Sequence, residues 1–242
     1  MSVKKAKVIT ITSVKGGTGK STFTLSLAGA LSKKQIKTII LDLDLSSGTI
    51  APSLNLKFTN DIYTLTDDMA NGRYETLDKY IKKYDDFIDI IPSTNDPRNT
   101  LKIYPGYIEN LIKQLEYKYD IILIDTNHVT SNINLAVLDI STTIMYIISD
   151  DLMDLKNMKT MISIYEDMNI DKYKIVLNES LRRIIGNYEV KTVLEKDIDY
   201  IIPNNFYEKN IQKYIFDGKI LTLEKKDKAS KIYDIIADDI IK

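Results

Sequence analysis

Between the alternating run Lys7-Val-Ile-Thr-Ile-Thr-Ser13 and a stretch of helix-forming residues lies Lys15-Gly-Gly-Thr-Gly-Lys-Ser21. No other feature constrains the fold as tightly. Gly16, Gly17 and Gly19 let successive backbone N–H groups curl around one point without a Cβ in the way, which makes an anion cradle. The helix that follows adds the positive end of its dipole. Lys20 can reach β/γ-phosphate oxygens and the Ser21 hydroxyl can bind Mg²⁺. In the ordinary template for such a loop the first glycine falls where Val14 stands; here an extra lysine, Lys15, precedes a double glycine.

The strand–helix alternation continues down the chain. Phe23, Leu27 and Leu31 share one stripe, predicting a helix over about 20–34. Thr38–Leu43 reads as a short buried strand. Residues 46–86 predict a loop and two short helices, around Thr64–Met69 and Thr76–Lys83. Ile88–Ile91 is a third strand, stopped by Pro92, and 95–104 is a loop containing Pro97 and Asn99. Pro105 opens a helix over 105–117. Strands follow at 121–125, 143–148, 174–177 and 200–202, with helices at 151–168, 205–217 and 226–241. The 151–168 helix opens with acids suited to its positive end. This order predicts an α/β fold: one domain over 1–242, with a mostly parallel sheet flanked by helices on both faces. No linker, repeat or low-complexity tract interrupts it. Functional groups then gather at the carboxyl ends of the strands.

Several polar residues sit at such ends. Asp42 and Asp44 follow the second strand, and a period of two puts both carboxylates on one side. Asp125 ends the apolar run Ile121–Ile124, where a carboxylate can hold Mg²⁺. Asn178 ends Ile175-Val-Leu177, and as a residue type it is equally a helix cap.

Composition enters through what it removes. The chain has no Cys, which excludes disulfides, thiolate zinc sites, Fe–S clusters and cysteine nucleophiles, and fits a reducing cytoplasm. His128 is the one histidine, so no second His or Cys exists to complete a metal site with it, and it reads as a structural or switch residue. With 33 Lys+Arg against 34 Asp+Glu, bulk charge does not argue for a nucleic-acid coat. Only Arg73, Arg98, Arg182 and Arg183 carry guanidinium groups, so bidentate anion forks are few. Apolar runs such as Ile121–Ile124 fall far short of the roughly 20 residues of a spanning helix. The start has no long apolar segment of the signal-peptide kind.

The glycine loop resembles the deviant Walker A motif of the MinD/ParA family of P-loop ATPases, and the resemblance covers about residues 5–240. It implies a P-loop NTPase fold and dimers that sandwich ATP. It implies that Gly16, Gly17, Thr18, Gly19, Lys20, Ser21 and Thr22 bind the nucleotide phosphates. Mg²⁺ would be held at Ser21 and Asp125, with Asp42 close to the metal shell. Asp44 matches the acid that orients or deprotonates the attacking water. Lys15 matches the lysine that crosses the dimer interface to touch phosphates bound by the other subunit, doing the work of an arginine finger. Lys15, Lys20 and Asp44 are thus the implied catalytic set. Asn178 matches an adenine-contacting Asn, and the loop at Ile202-Pro203-Asn204 matches the other wall of the base pocket. The absence of an Asn-Lys-x-Asp signature favours ATP over GTP. After Asp125, Thr126-Asn127-His128 departs from the residue-then-Pro pattern of many relatives.

Several stretches look closest to the CpaE/TadZ branch, the MinD-like ATPases of Tad pilus assembly: Asp42–Gly48, Leu77-Asp-Lys-Tyr-Ile81, Ile90–Ser93, Asp125–His128 and Asp151–Asn157. That resemblance implies a cytoplasmic bacterial switch, recruited to a pilus or secretion machine or to a cell pole, with protein partners there. The loop begins within the first 20 residues, so the N-terminal receiver domain usual in that branch is expected to be absent. A ParA-type partition ATPase is the alternative: Lys225, Lys226 and Lys228 with Arg182-Arg183 could form a small DNA patch, though solvated surface is the commoner meaning of such runs. A nucleotide-bound scaffold without hydrolysis is a third reading. The final helix has an Ile232, Ile236, Ile240 stripe, but Asp234, Asp238 and Asp239 would be repelled by anionic lipid, so packing on the body is expected rather than membrane binding. A tyrosine autokinase would end in a tyrosine cluster, whereas Tyr233 stands alone.

Overall fold

The computed structural model describes residues 5–180, 185–204, 211–224 and 230–242. The first half of the chain forms β1 (Lys7–Thr12), α1 (Lys20–Lys33), β2 (Thr38–Leu43), α2 (Ile50–Ser53), α3 (Ile62–Ala70), β3 (Lys82–Lys83) and β4 (Ile88–Ile91). Then come α4 (Pro105–Leu115), β5 (Ile121–Thr126), α5 (Asn132–Ile140), β6 (Thr143–Ile148), α6 (Leu152–Asp167), β7 (Tyr173–Asn178), α7 (Asn187–Leu194) and β8 (Tyr200–Ile202). The remaining described elements are α8 (Ile211–Phe216), α9 (Leu221–Glu224) and α10 (Lys231–Ile241).

The strands make one eight-stranded sheet in the order β3-β4-β2-β5-β1-β6-β7-β8, parallel except for the short edge strand β3. This is the single α/β domain that the strand–helix alternation predicts. One face carries α1 and α10, with Phe23, Leu27, Leu31, Tyr233 and Ile236 in its core. The other face is covered by α3, α4 and α5 near the middle, through Leu65, Ile108, Leu111 and Val137, and by α6 and α7 toward β7. With both faces covered, β2, β5 and β6 carry continuous apolar runs (Ile39–Leu41, Ile121–Ile124 and Ile144–Ile148), while β1 alternates with buried threonines.

Strand parity decides where the polar ends point, because alternate side chains face opposite sides of a sheet. Ile9 and Ile11 of β1, Ile40 of β2, Ile121 and Leu123 of β5 and Val176 of β7 all pack in the core under α1. Counting on by two from each of them places Ser13, Asp42, Asp44, Asp125 and Asn178 on the same side. Register completes the convergence: Asp42 lies opposite Asp125, and Ile11 beside it.

Some elements differ from the sequence reading. The stretch 76–83 is not a helix: Leu77–Lys79 is a single 3₁₀ turn, followed by β3. Leu77, Tyr80 and Ile81 have helical spacing, but the first two are anchors for a loop that crosses the sheet edge. The sequence reading also lacks α2, α5, α7 and α9. At the C-terminal end, residues 205–210 and 226–229 of the two expected helices lie outside the described residues, and the rest of each contains α8 or α10.

Candidate phosphate and metal site

The phosphate loop leaves β1 and enters α1 through two left-handed glycines, Gly17 (φ +77) and Gly19 (φ +93). At Gly19 the need for glycine is also steric, since a Cβ there would lie 2.5 Å from Asn178 Nδ2. Lys20, Thr24, Leu27 and Leu31 form the sheet-facing stripe of α1 and are buried. The stripe that seats the helix thereby buries the lysine ammonium under the loop. Lys20 Nζ donates to Ser13 Oγ at 2.9 Å, and Ser13 Oγ donates to the Lys15 carbonyl at 2.6 Å. Burial lowers the Lys20 pKa from its usual range, while the charges of Asp125, Asp44 and Asp154 pull it back up.

Beside Lys20, Ser21 Oγ donates to Asp125 Oδ2 at 2.6 Å, and Thr24 Oγ1 donates to Asp125 Oδ1 at 3.3 Å. Asp125 is fully buried, and burial raises its pKa to about 7 against the opposing bond from Ser21 and the charge of Lys20. Asp42 is raised as well, first by burial and then by the charge of Asp125. Its oxygens accept from Asp44 N (3.2 Å) and Ile50 N (3.0 Å), so it holds the β2–α2 loop. Asp44 is half-buried and lines a cavity of about 400 Å³ with Gly17, Gly19, Lys20, Ser21, Thr22 and Thr49.

These residues fit a magnesium ion. Two buried carboxylates with raised pKa values form an excess of negative potential that a cation relieves. Ser21 commits its one proton to Asp125 and accepts from Thr49, which leaves a lone pair for a metal. Among the described residues no three His, Cys, Asp or Glu side chains form a metal cage. A sparse, hard-oxygen donor set suits Mg²⁺, which keeps waters and substrate phosphates among its ligands.

Asn178 Nδ2 donates to the Thr18 carbonyl at 2.8 Å, tying the end of β7 to the phosphate loop. Its Oδ1 and the Thr18 hydroxyl are buried without partners, two groups that a ligand can satisfy. Pro203 follows β8, whose Ile202 lies opposite Asn178. Lys15 stands apart from the cavity lining. It is half-exposed and pairs at 3.0 Å with Asp151, the N-cap of α6. That contact is the main cause holding Asp151 below the usual carboxylate range.

Residues 9–240 match the model of the CobQ/CobB/MinD/ParA nucleotide binding domain. The chain belongs to this family. It is 28% identical over 147 residues to the tyrosine-protein kinase CpsD of Streptococcus agalactiae, an alignment that takes in 56% of this chain and spans 58% of the kinase's length. The fold matches a ParA family ATPase from Chlorobium tepidum TLS with TM-score 0.84, at 23% identity over 97% of this chain and 98% of that one. It also matches the septum site-determining protein MinD from Pyrococcus horikoshii OT3, complexed with Mg-ADP, with TM-score 0.79, at 23% identity over 97% and 96%. The family is a nucleotide-binding one, and the Mg-ADP is that of the Pyrococcus protein.

In this MinD/ParA-type domain the structure adds residues that sequence reading missed. Ser13 was visible in principle, two positions beyond Ile11 on the same face, and Thr24 one turn beyond Lys20. Asp154 is fully buried in the first turn of α6, where it accepts from Ser149 N (2.7 Å) and Ser149 Oγ (2.8 Å) and adds negative charge near Lys20. The imidazole of His128 packs on Gly16, with Cε1 3.3 Å from where a Cβ would stand. Lys225, Lys226, Lys228, Arg182 and Arg183 lie outside the described residues. The α10 stripe packs on the body as expected: Ile236 and Ile240 are buried and Ile232 is half-buried against the same core, while Tyr233, outside the expected stripe, is buried with them. No helix among the described residues is long and apolar enough to cross a membrane.

Proposed function

We propose that this domain binds and slowly hydrolyses ATP and uses the nucleotide state as a switch, pairing with a second copy of itself around ATP. The observation that carries the reading is the junction of Lys20, Ser21 and Asp125: a buried ammonium, a hydroxyl with a free lone pair and a carboxylate with a raised pKa, under a glycine loop.

In this reading the N–H groups of Gly16, Gly17, Thr18, Gly19, Lys20, Ser21 and Thr22, with the Lys20 ammonium, hold the phosphates. Ser21 and Asp125 would hold Mg²⁺, with Asp42 behind them. The bound ion would supply charge neutralisation on the phosphate oxygens. Asp44, held in place through its backbone carbonyl by Gly48 N (2.8 Å) and Ser93 Oγ (2.9 Å), orients the attacking water and accepts its proton. Asn178 and Pro203 flank the base. Lys15 would exchange Asp151 for phosphates on the second copy. An exposed ion pair is worth about 0–1 kcal/mol, so the exchange costs little.

The wider role we favour is positioning or assembling a pilus or secretion machine, with protein partners recruited by the ATP form and the chain drawn to the membrane-associated machine or a pole. Because α10 buries its apolar stripe, any such recruitment would run through a protein partner rather than lipid. Partition on DNA would show as ATP-dependent, salt-sensitive DNA binding. The primary test is phosphate release from Mg-ATP by the wild type and by Lys20→Ala. Slow release abolished in the variant supports the reading. Tight ATP binding without release would leave a nucleotide-bound scaffold.

A further inference from the structure

Thr49 is the N-cap residue of α2, a residue type whose hydroxyl ordinarily satisfies the first N–H groups of its helix. Here the side chain makes no capping bond. It donates instead to Ser21 Oγ at 2.8 Å, across 28 positions of sequence. Ser21 in turn donates to Asp125 Oδ2. A serine hydroxyl has one proton and two acceptor lone pairs. With the proton committed to Asp125 and one lone pair to Thr49, the direction of the remaining lone pair is fixed.

The same segment holds the loop that carries Asp44. Ile50 N, next to Thr49, donates to Asp42 Oδ2, and Asp44 N donates to Asp42 Oδ1. Ser47 N donates to Asp44 Oδ1 at 3.2 Å, and Gly48 N to the Asp44 carbonyl. Residues 44–50 are thus held to one another and to Asp42, and their Asp44 and Leu45 carbonyls accept from Ser93 Oγ and Thr100 Oγ1 on the far side of the loop. Among the described residues, the Thr49–Ser21 bond is the one hydrogen bond that joins this segment to residues 13–22.

We propose that Thr49 is a positioning residue. Its bond to Ser21 aims the serine hydroxyl at a divalent cation and fixes the β2–α2 loop, with Asp44, in register with the phosphate loop. The inference rests on the proposed roles of Ser21 and Asp44. Thr49 acts through those two residues and needs no contact with nucleotide.

The test uses the full chain as wild type, Thr49→Val and Thr49→Ser. Valine keeps the shape and removes the donor; serine keeps the donor. ADP affinity is measured by calorimetry with Mg²⁺ and with EDTA, and kcat and KM are measured for ATP. Thr49→Val is expected to lose about tenfold of the Mg²⁺-dependent gain in affinity, the scale of one hydrogen bond to a polar centre. Its affinity in EDTA stays at the wild-type value. Its kcat falls by more than its KM rises, and Thr49→Ser restores both. Wild-type Mg²⁺ dependence and kcat in Thr49→Val would overturn the proposal, as would equal impairment of the two variants. Should the valine variant not fold, Thr49→Ala makes the same comparison with Thr49→Ser. If the wild type itself binds ADP without regard to Mg²⁺, the metal-site reading fails before any variant is compared.

Discussion

The two ends of α1 hold charge in opposite ways. At its C-terminal end Lys33 and Lys34 pair with Asp234 and Asp238 of α10, both at 2.7 Å, with side chains that remain partly exposed. At its N-terminal end Lys20, Asp125, Asp42 and Asp154 are buried together, and burial shifts each pKa toward the neutral form. The first arrangement docks a helix whose packing comes from Tyr233, Ile236 and Ile240. The second is a poor way to stabilise a fold, because desolvating charges costs more than their pairing returns unless every partner is in place. Buried charge of that kind makes sense when a ligand completes it. One helix thus separates the residues that hold the domain together from those we propose bind the nucleotide.

The largest break in this comparison should come from the docking end. Ile236→Ala removes a fully buried side chain of α10 and is expected to destabilise the domain by ~2–5 kcal/mol in urea unfolding, with ADP affinity unchanged in the folded protein. At the other end, Asp125→Asn should do the reverse, abolishing Mg²⁺-dependent nucleotide binding without weakening the fold. Its sharper signature is the pH dependence of stability without nucleotide or divalent cation. Because the folded pKa of Asp125 is raised, its favourable contribution is complete below the unfolded carboxylate range, roughly 4, and is lost as pH rises through about 7. Wild-type stability should therefore decline over that window, and Asp125→Asn should flatten the decline. The smallest effect is Asp238→Asn, which removes a half-exposed pair and should cost under ~1 kcal/mol, less still at high salt. A large loss there would mean that the ion pairs, rather than the apolar stripe, dock α10.

Much of this was legible because it is local. The loop Lys15–Ser21, the stripe Phe23, Leu27, Leu31 and the apolar runs of β2 and β5 each declare themselves within ten residues, and strand parity carries Asp42, Asp44 and Asp125 to one face. What escaped depends on distant partners or on elements too short to show a period. Over the nine residues of α5 the buried hydrophobics are only Ile133 and Val137, too few to mark a stripe. At 76–83 the spacing of Leu77, Tyr80 and Ile81 imitates a helix, while the neighbouring strand β4 sets the backbone. The Thr49–Ser21 bond and the Lys15–Asp151 pair join positions 28 and 136 residues apart, which no local pattern encodes.

The central claim is that ATP completes the buried N-terminal end of α1 and thereby pairs two copies of the chain. The most direct test is the solution mass of the wild type and of Asp44→Ala, each with Mg-ATP and with Mg-ADP. The account predicts a dimer with ATP alone, persisting in Asp44→Ala because the nucleotide is not consumed. A mass that is the same with either nucleotide, in both proteins, would contradict it.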